Sequence, residues 1–322
     1  MNLLPADLAC LTDGHITPLQ KINHPLFCDH GIELFIKRED LVHPQISGNK
    51  WYKLKYNLAH ARQQGFKHLV SFGGAFSNHL HALAFAGHQF GFETTGFVRG
   101  EILQPLNPTL ADAVAWGMTL HSLTRSEYRQ RHDPEFVQQL ITPHQPCFVI
   151  PEGAANDLAL LGCGEIVTTI NQQLDSYDYI CVPCGSGATL AGIVLALENC
   201  DAESAVQALG FSALKGHPGL ADEVSSMLGA VGNAQKSRWQ IVDEFHCGGF
   251  GKITPELVLF MRQWREQTGL ILEPLYTGKM LLGLCTLVRR GFFNAGTKIV
   301  VVHTGGLQGL RGMQAQMDRV EE

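Results

Sequence analysis

The chain has 322 residues, of which 45% are hydrophobic and 17% charged, with a formal net charge of −6. That length can bury a sizeable core and suits two lobes or one large α/β unit. The charge pattern, with no basic block, argues against a nucleic-acid partner. No apolar run is long enough to span a bilayer and no basic-then-apolar leader opens the chain, so the expectation is a soluble, cytoplasmic protein acting on small molecules, with no membrane partner. Nine scattered cysteines read as reduced thiols and not as a disulfide framework.

Along the chain, short apolar runs at residues 33–37, 68–72, 94–98, 147–150, 179–183, 206–211 and 298–303 predict strands. Helix-length segments at 51–64, 78–89, 158–175, 188–199, 255–267 and 278–290 lie between them. The alternation predicts βαβ units and parallel sheets flanked by helices. The runs Tyr179-Ile180-Cys181-Val182 and Ile299-Val300-Val301-Val302 are apolar without alternating, as expected of strands covered on both faces. Residues 125–146, rich in Gln, His and Pro, carry the weakest pattern and predict a surface helix with a loop.

Three predicted strands end in glycine turns that open helices. Cys184-Gly185-Ser186-Gly187-Ala188-Thr189 follows one of them. Its glycines let the backbone approach an anion, the first helical N–H groups face it, and Ser186 and Thr189 can add hydroxyl donors. It is neither a Walker loop nor a G-x-G-x-x-G fingerprint, so a single phosphate is the predicted ligand. Phe72-Gly73-Gly74-Ala75-Phe76-Ser77-Asn78-His79 repeats the design with Ser77 or Asn78 as N-cap, and His303-Thr304-Gly305-Gly306 repeats it near the C-terminus. Three such turns at the strand ends of a parallel sheet would converge on a ligand crevice.

Between Lys37-Arg38-Glu39-Asp40 and a helix lies Ser47-Gly48-Asn49-Lys50-Trp51-Tyr52-Lys53. A lone lysine at a helix start is ordinarily a solvated charge in an unfavourable dipole. Taken with the glycine turns and with Tyr276-Thr277-Gly278-Lys279, however, the segment resembles the fold-type-II pyridoxal phosphate (PLP) enzymes of the ACC deaminase and D-cysteine desulfhydrase family, where ACC is 1-aminocyclopropane-1-carboxylate. The resemblance runs from Ile36 to about Leu310 with the motifs in order.

The resemblance implies a two-lobe, tryptophan synthase β-like α/β fold, with residues 1–50 and 154–322 forming a large PLP-binding domain and 51–153 a small one. It implies a homodimer. It implies that Lys50 holds the cofactor as a Schiff base and moves the substrate proton, that Lys53 pairs with the phosphate, and that Gly185, Ser186, Gly187, Ala188 and Thr189 form the phosphate loop. Asn78 matches the residue bonding the cofactor's 3′-oxygen, and Ser77, Asn78 and His79 match the turn that grips the substrate carboxylate. Ser77 is also a position for proton transfer, Tyr276 covers the ring as a catalytic aromatic, and Thr304 is the candidate partner of the pyridine nitrogen.

ACC deaminases carry a glutamate where this chain has Thr277, which makes Thr277 the specificity position. A hydroxyl leaves the pyridine neutral and suits β-elimination. The implied activity is therefore a PLP lyase converting D-cysteine to pyruvate, sulfide and ammonia. ACC deaminase, a deaminase of the hydrolase class, is the alternative, and a non-catalytic binder of a phosphorylated metabolite is a further one. The Cys181-Val182-Pro183-Cys184 spacing invites a thiol-redox or zinc reading, but it lacks a second pair and sits on an apolar strand; two packed thiols are expected. His79 and His81 stand two apart and cannot share a metal as an i, i+4 pair could, so no metal is assigned. Without the resemblance, Glu273 reads as a cap, Lys279 as a solvated helix charge and His303 as a strand-end hydrogen-bonder.

Overall fold

A computed structural model describes residues 16–200, 205–216, 218–231 and 238–321. It contains two sheets. The larger has the order β1-β2-β10-β7-β8-β9, formed by β1 (Leu19–Ile22), β2 (Glu33–Lys37), β7 (Tyr179–Cys184), β8 (Gln207–Ser212), β9 (Trp239–Val242) and β10 (Lys298–Val302). The smaller has the order β5-β4-β3-β6, formed by β3 (His68–Gly74), β4 (Glu93–Arg99), β5 (Thr119–Leu123) and β6 (Cys147–Ile150). Pairing is parallel throughout except at the edge, where β1 runs antiparallel to β2 with Leu19 opposite Lys37.

The helices are α1 (Pro25–Asp29), α2 (Asn49–Gln63), α3 (Asn78–Phe90), α4 (Pro108–Ala115), α5 (Arg125–Arg129), α6 (Pro134–Ile141), α7 (Asp157–Asn171), α8 (Ala188–Cys200), α9 (Leu220–Val231), α10 (Pro255–Thr268), α11 (Thr277–Arg289) and α12 (Leu310–Glu321). They cover both faces of each sheet. On the larger sheet, Ile180, Val182, Val300 and Val302 point into a core shared with α7, α8 and α9. Their neighbours Cys181, Ile299 and Val301 point into a second core shared with α10 and α11. Non-alternating apolar strands are what burial on two faces demands. On the smaller sheet, Leu69 and Val98 face α2 and α3, while Val70, Phe72 and Phe97 face α5 and α6. The weakly patterned stretch at 125–146 is thus two short helices, each with a side-chain cap, from Thr124 and Asp133 respectively, and together they cover one face.

One helix belongs to both cores. Trp51, Leu54 and Leu58 of α2 pack with the smaller sheet, whereas Tyr52 packs with the larger. The N-terminus of α2, which carries Lys50 and Lys53, is thereby fixed at the junction of the two sheets.

Candidate active site

The lysine loop is built on Lys37-Arg38-Glu39-Asp40. Glu39 is fully buried; it accepts from Thr17 Oγ1 and Tyr52 Oη, both at 2.8 Å, and pairs with the equally buried Lys37 at 3.7 Å. Burial still pushes the Glu39 carboxyl up and the Lys37 ammonium down, against their mutual attraction and the added hydrogen bonds. Arg38 holds Asp40 through two bonds of 2.9 and 2.7 Å. From this base the Glu39 carbonyl accepts the Gly48 N–H at 3.0 Å. Gly48 caps α2 at φ 65°, and a Cβ there would lie 1.8 Å from the Thr304 carbonyl oxygen. Only glycine permits that approach, which seats the lysine loop against the third glycine turn.

Lys50 follows. Its Nζ donates to Asn49 Oδ1 at 2.7 Å. Burial, reinforced by the neighbouring Lys53 ammonium, brings its pKa down to about 7. Lys53 is only 4% exposed, yet it donates to neutral acceptors, the Gly153 carbonyl at 2.9 Å and Ser186 Oγ at 3.4 Å. Burial depresses it too, and no carboxylate among the described residues offsets that. Ser186 belongs to the turn that opens α8, and Asn49 Nδ2 donates to Thr189 Oγ1 at 2.8 Å, tying the lysine helix to the same turn. A buried cation without a counter-charge, facing the positive end of a helix, is a site for an anion.

The turn after β3 presents Ser77, Asn78 and His79. Ser77 Oγ caps α3 by accepting the Leu80 N–H at 3.2 Å. Asn78 Oδ1 accepts from Gln308 at 2.9 Å. His79 is buried and its Nε2 lies 2.8 Å from Ser71 Oγ. The Ser71 hydroxyl donates its single hydrogen to the Ile150 carbonyl at 2.7 Å, so His79 is the donor of that pair and carries its proton on Nε2. Burial, with Lys50 and Lys53 adding to it, pushes the His79 pKa down to about 3 and keeps the ring neutral.

Tyr276 lies over the turn that opens α8: a Cβ on Gly185 would stand 3.2 Å from its Oη. Phe250 packs against it with ring centroids 5.8 Å apart. Thr277 is fully buried. Its hydroxyl accepts the Glu273 N–H and lies 3.1 Å from Glu273 Oε1, and the Glu273 carboxylate also takes the N–H groups of Leu275, Tyr276 and Thr277 at 2.7, 2.9 and 2.6 Å. Glu273 is thus the cap expected of it. Lys279 is not solvated; it is buried and donates to the Gly249 carbonyl at 2.8 Å, because α11 packs its first turn beneath the 246–252 loop. His303 bonds the Ile271 carbonyl at 2.8 Å. Cys181 and Cys184 are buried free thiols, and burial pushes Cys184 up to about 12. His79 and His81 have separate partners, the latter Asp112, and no group of three metal-ligating side chains occurs among the described residues.

The family profile described as pyridoxal-phosphate dependent enzyme matches residues 12–305. The chain belongs to that family. This PLP-dependent enzyme is 31% identical over 319 residues to the mitochondrial bifunctional D-cysteine desulfhydrase/1-aminocyclopropane-1-carboxylate deaminase of Arabidopsis thaliana, covering 94% of this chain and 79% of that one. It is 26% identical over 310 residues to a D-cysteine desulfhydrase of Klebsiella pneumoniae, covering 92% and 93%. A crystal structure of an ACC deaminase homologue superposes with a TM-score of 0.79 at 26% identity, covering 98% of this chain and 100% of that one. The fold is that of the fold-type-II PLP enzymes. Among the described residues no helix is long and apolar enough to cross a membrane.

Sequence reasoning brought Lys50, Lys53, the 185–189 turn, Ser77-Asn78-His79, Tyr276 and Thr304 toward one crevice. It missed Asn49, Gly153, Phe250 and Gln308. Gly153 and Gln308 act on partners far away in the chain, at Lys53 and Asn78, and nothing local marks them.

Proposed function

We propose that this PLP enzyme is a lyase acting on D-cysteine or a closely related small D-amino acid, with Lys50 as the cofactor lysine. The observation that carries the reading is the pair Lys50 and Lys53: an amine whose proton affinity is brought to neutrality, beside a buried cation with no carboxylate partner. Those residues suit the aldehyde and the phosphate of one molecule. When bound, PLP supplies an electron-withdrawing ring that acidifies the substrate's α-hydrogen.

Lys53, Gly185, Ser186, Gly187, Ala188 and Thr189 hold the phosphate. Asn78 would bond the ring's 3′-oxygen, and Thr304 would serve as the partner of the pyridine nitrogen. The Ser77 hydroxyl and the backbone N–H groups of Asn78 and His79 would orient the substrate carboxylate, the Ser77 N–H being taken by the Gly74 carbonyl at 3.0 Å. Lys50 Nζ takes the α-proton, with the Ser77 hydroxyl as the second proton carrier, and Tyr276 covers the reacting face. The neutral His79 ring places no competing charge beside Lys50.

The choice of elimination rests on Thr277 and Glu273. Glu273, the carboxylate of the Tyr276 turn, is committed to four donors of that turn, one of them the Thr277 hydroxyl. A hydroxyl partner at Thr304 would leave the pyridine of bound PLP neutral, which would suit departure of thiolate from Cβ and, after hydrolysis, yield pyruvate, sulfide and ammonia. ACC deaminase is the second reading, favoured by the double name of the Arabidopsis relative.

The larger sheet with residues 1–50 and 154–322 serves as the cofactor domain and 51–153 as the small domain. The working form is a cytoplasmic homodimer. A keto-acid assay of the PLP-loaded protein with D-cysteine, L-cysteine, D-serine and ACC separates the readings. Pyruvate from D-cysteine is expected; 2-oxobutyrate from ACC with no turnover of D-cysteine overturns the assignment. A phosphorylated-metabolite binder would keep its ligand in Lys50→Ala, whereas this reading requires that variant to be inactive.

A further inference from the structure

Asn78 stands on α3 beside the smaller sheet, and Gln308 lies 230 residues later in the Leu307–Gly309 turn that follows β10. Gln308 Nε2 donates to Asn78 Oδ1 at 2.9 Å. A primary amide has one acceptor oxygen and one donor nitrogen, so fixing the oxygen fixes the nitrogen. With Oδ1 turned to Gln308, Nδ2 lies along Gly306, where a Cβ would approach it to 2.7 Å. Gly306, at φ 84°, leaves the space that this amide orientation needs.

We propose that Gln308 is a positioning residue that sets the polarity of the Asn78 amide, so that Nδ2 and not Oδ1 is offered to the cofactor. This rests on the reading that Asn78 contacts the ring's 3′-oxygen. A donor there stabilises the ionised oxygen, whereas a carbonyl would oppose it. Gln308 belongs to the turn after β10 of the larger sheet, whereas Asn78 stands on α3 beside the smaller one. The hydrogen bond therefore makes the electronic setting of the ring depend on the two sheets keeping their spacing. Gln308→Glu replaces the donor by acceptors, which prefer the Asn78 amide nitrogen and turn the amide over. Gln308→Leu removes the constraint without reversing it.

The test is a pH titration of the visible absorbance of PLP-loaded wild type, Gln308→Glu, Gln308→Leu, Asn78→Ala and the Asn78→Ala/Gln308→Glu double variant, with cofactor dissociation constants and apo-protein melting temperatures measured alongside. The expected result is a titration midpoint about one pH unit higher and cofactor binding about tenfold weaker in Gln308→Glu, a smaller change in Gln308→Leu, and no added effect of Gln308→Glu once Asn78 is alanine. A midpoint that moves in Asn78→Ala but in neither Gln308 variant overturns the positioning role alone. A midpoint unchanged in Asn78→Ala overturns the contact on which the role rests. Melting temperatures that fall without any midpoint shift mark Gln308 as a structural tie only and overturn the proposal.

Discussion

Lys50 is the residue whose environment departs furthest from what a helix start ordinarily gives a lysine. Its pKa is about 7 in the folded chain against 10.5 when exposed, with burial first and Lys53 second among the causes. The unfolded chain therefore binds the extra proton between those values, and stability rises with pH across that window; below pH 7 the full cost of burying the charge is present. Replacing Lys50 by methionine removes the dependence. Urea denaturation of the apo-protein at pH 7 and at pH 9.5 should show Lys50→Met ahead of wild type by on the order of 1–3 kcal/mol at the lower pH and by less at the higher. Parallel behaviour at both pH values would count against a depressed Lys50. Gly48→Ala is expected to lower stability by about 2–4 kcal/mol and to abolish cofactor absorbance, since the added carbon meets the Thr304 carbonyl oxygen. The glycine turns were legible in the sequence because a short motif carries their geometry, whereas Lys50 and Lys53 stood out only through the resemblance to the PLP enzymes, a lysine at a helix start being ordinarily a solvated charge. Gln308 was not legible, because its purpose exists only once Asn78 is folded against it.

At the scale of elements, two helix N-termini shape the crevice. The α8 terminus lacks an acidic residue in its first turn and has Lys53 beside it, so Lys53→Met should weaken binding of PLP about tenfold or more, as read by equilibrium dialysis, with little change in the far-ultraviolet spectrum. The α11 terminus is instead capped internally by Glu273. Thr277→Val removes one donor to that carboxylate and one acceptor, and should cost about 1–3 kcal/mol in denaturant unfolding while leaving the overall fold intact. Strands buried on both faces and the helices between them were readable from apolar runs. The edge strands β1, β5 and β9 were not, because each is short and largely exposed or half-buried, so neither continuity nor alternation marks it. The α5–α6 stretch escaped as elements because a helix of five or eight residues completes too few turns to print a period.

For the whole molecule, the two sheets are joined by α2, which is buried in both cores, and by contacts across the crevice from Gln308 to Asn78 and from Arg311 to Asp112. The Arg311–Asp112 pair is half-exposed on its arginine side, so Arg311→Met should change global stability by less than about 1 kcal/mol. The parallel architecture followed from the βαβ alternation, and the split into two sheets followed from the family resemblance. The strand order, with β10 inserted between β2 and β7, required long-range pairing that no local pattern encodes. That insertion brings the turn after β10 beside the turn after β7 and against Gly48, which is what gathers the N-terminus of α2, the 185–189 turn and Thr304. The most direct test of this arrangement is borohydride reduction of the PLP-incubated protein followed by peptide mass spectrometry. The account predicts a pyridoxyl group on the peptide containing Lys50 and on that lysine alone; a label on Lys53, Lys279 or any other lysine, or no label at all, would contradict it.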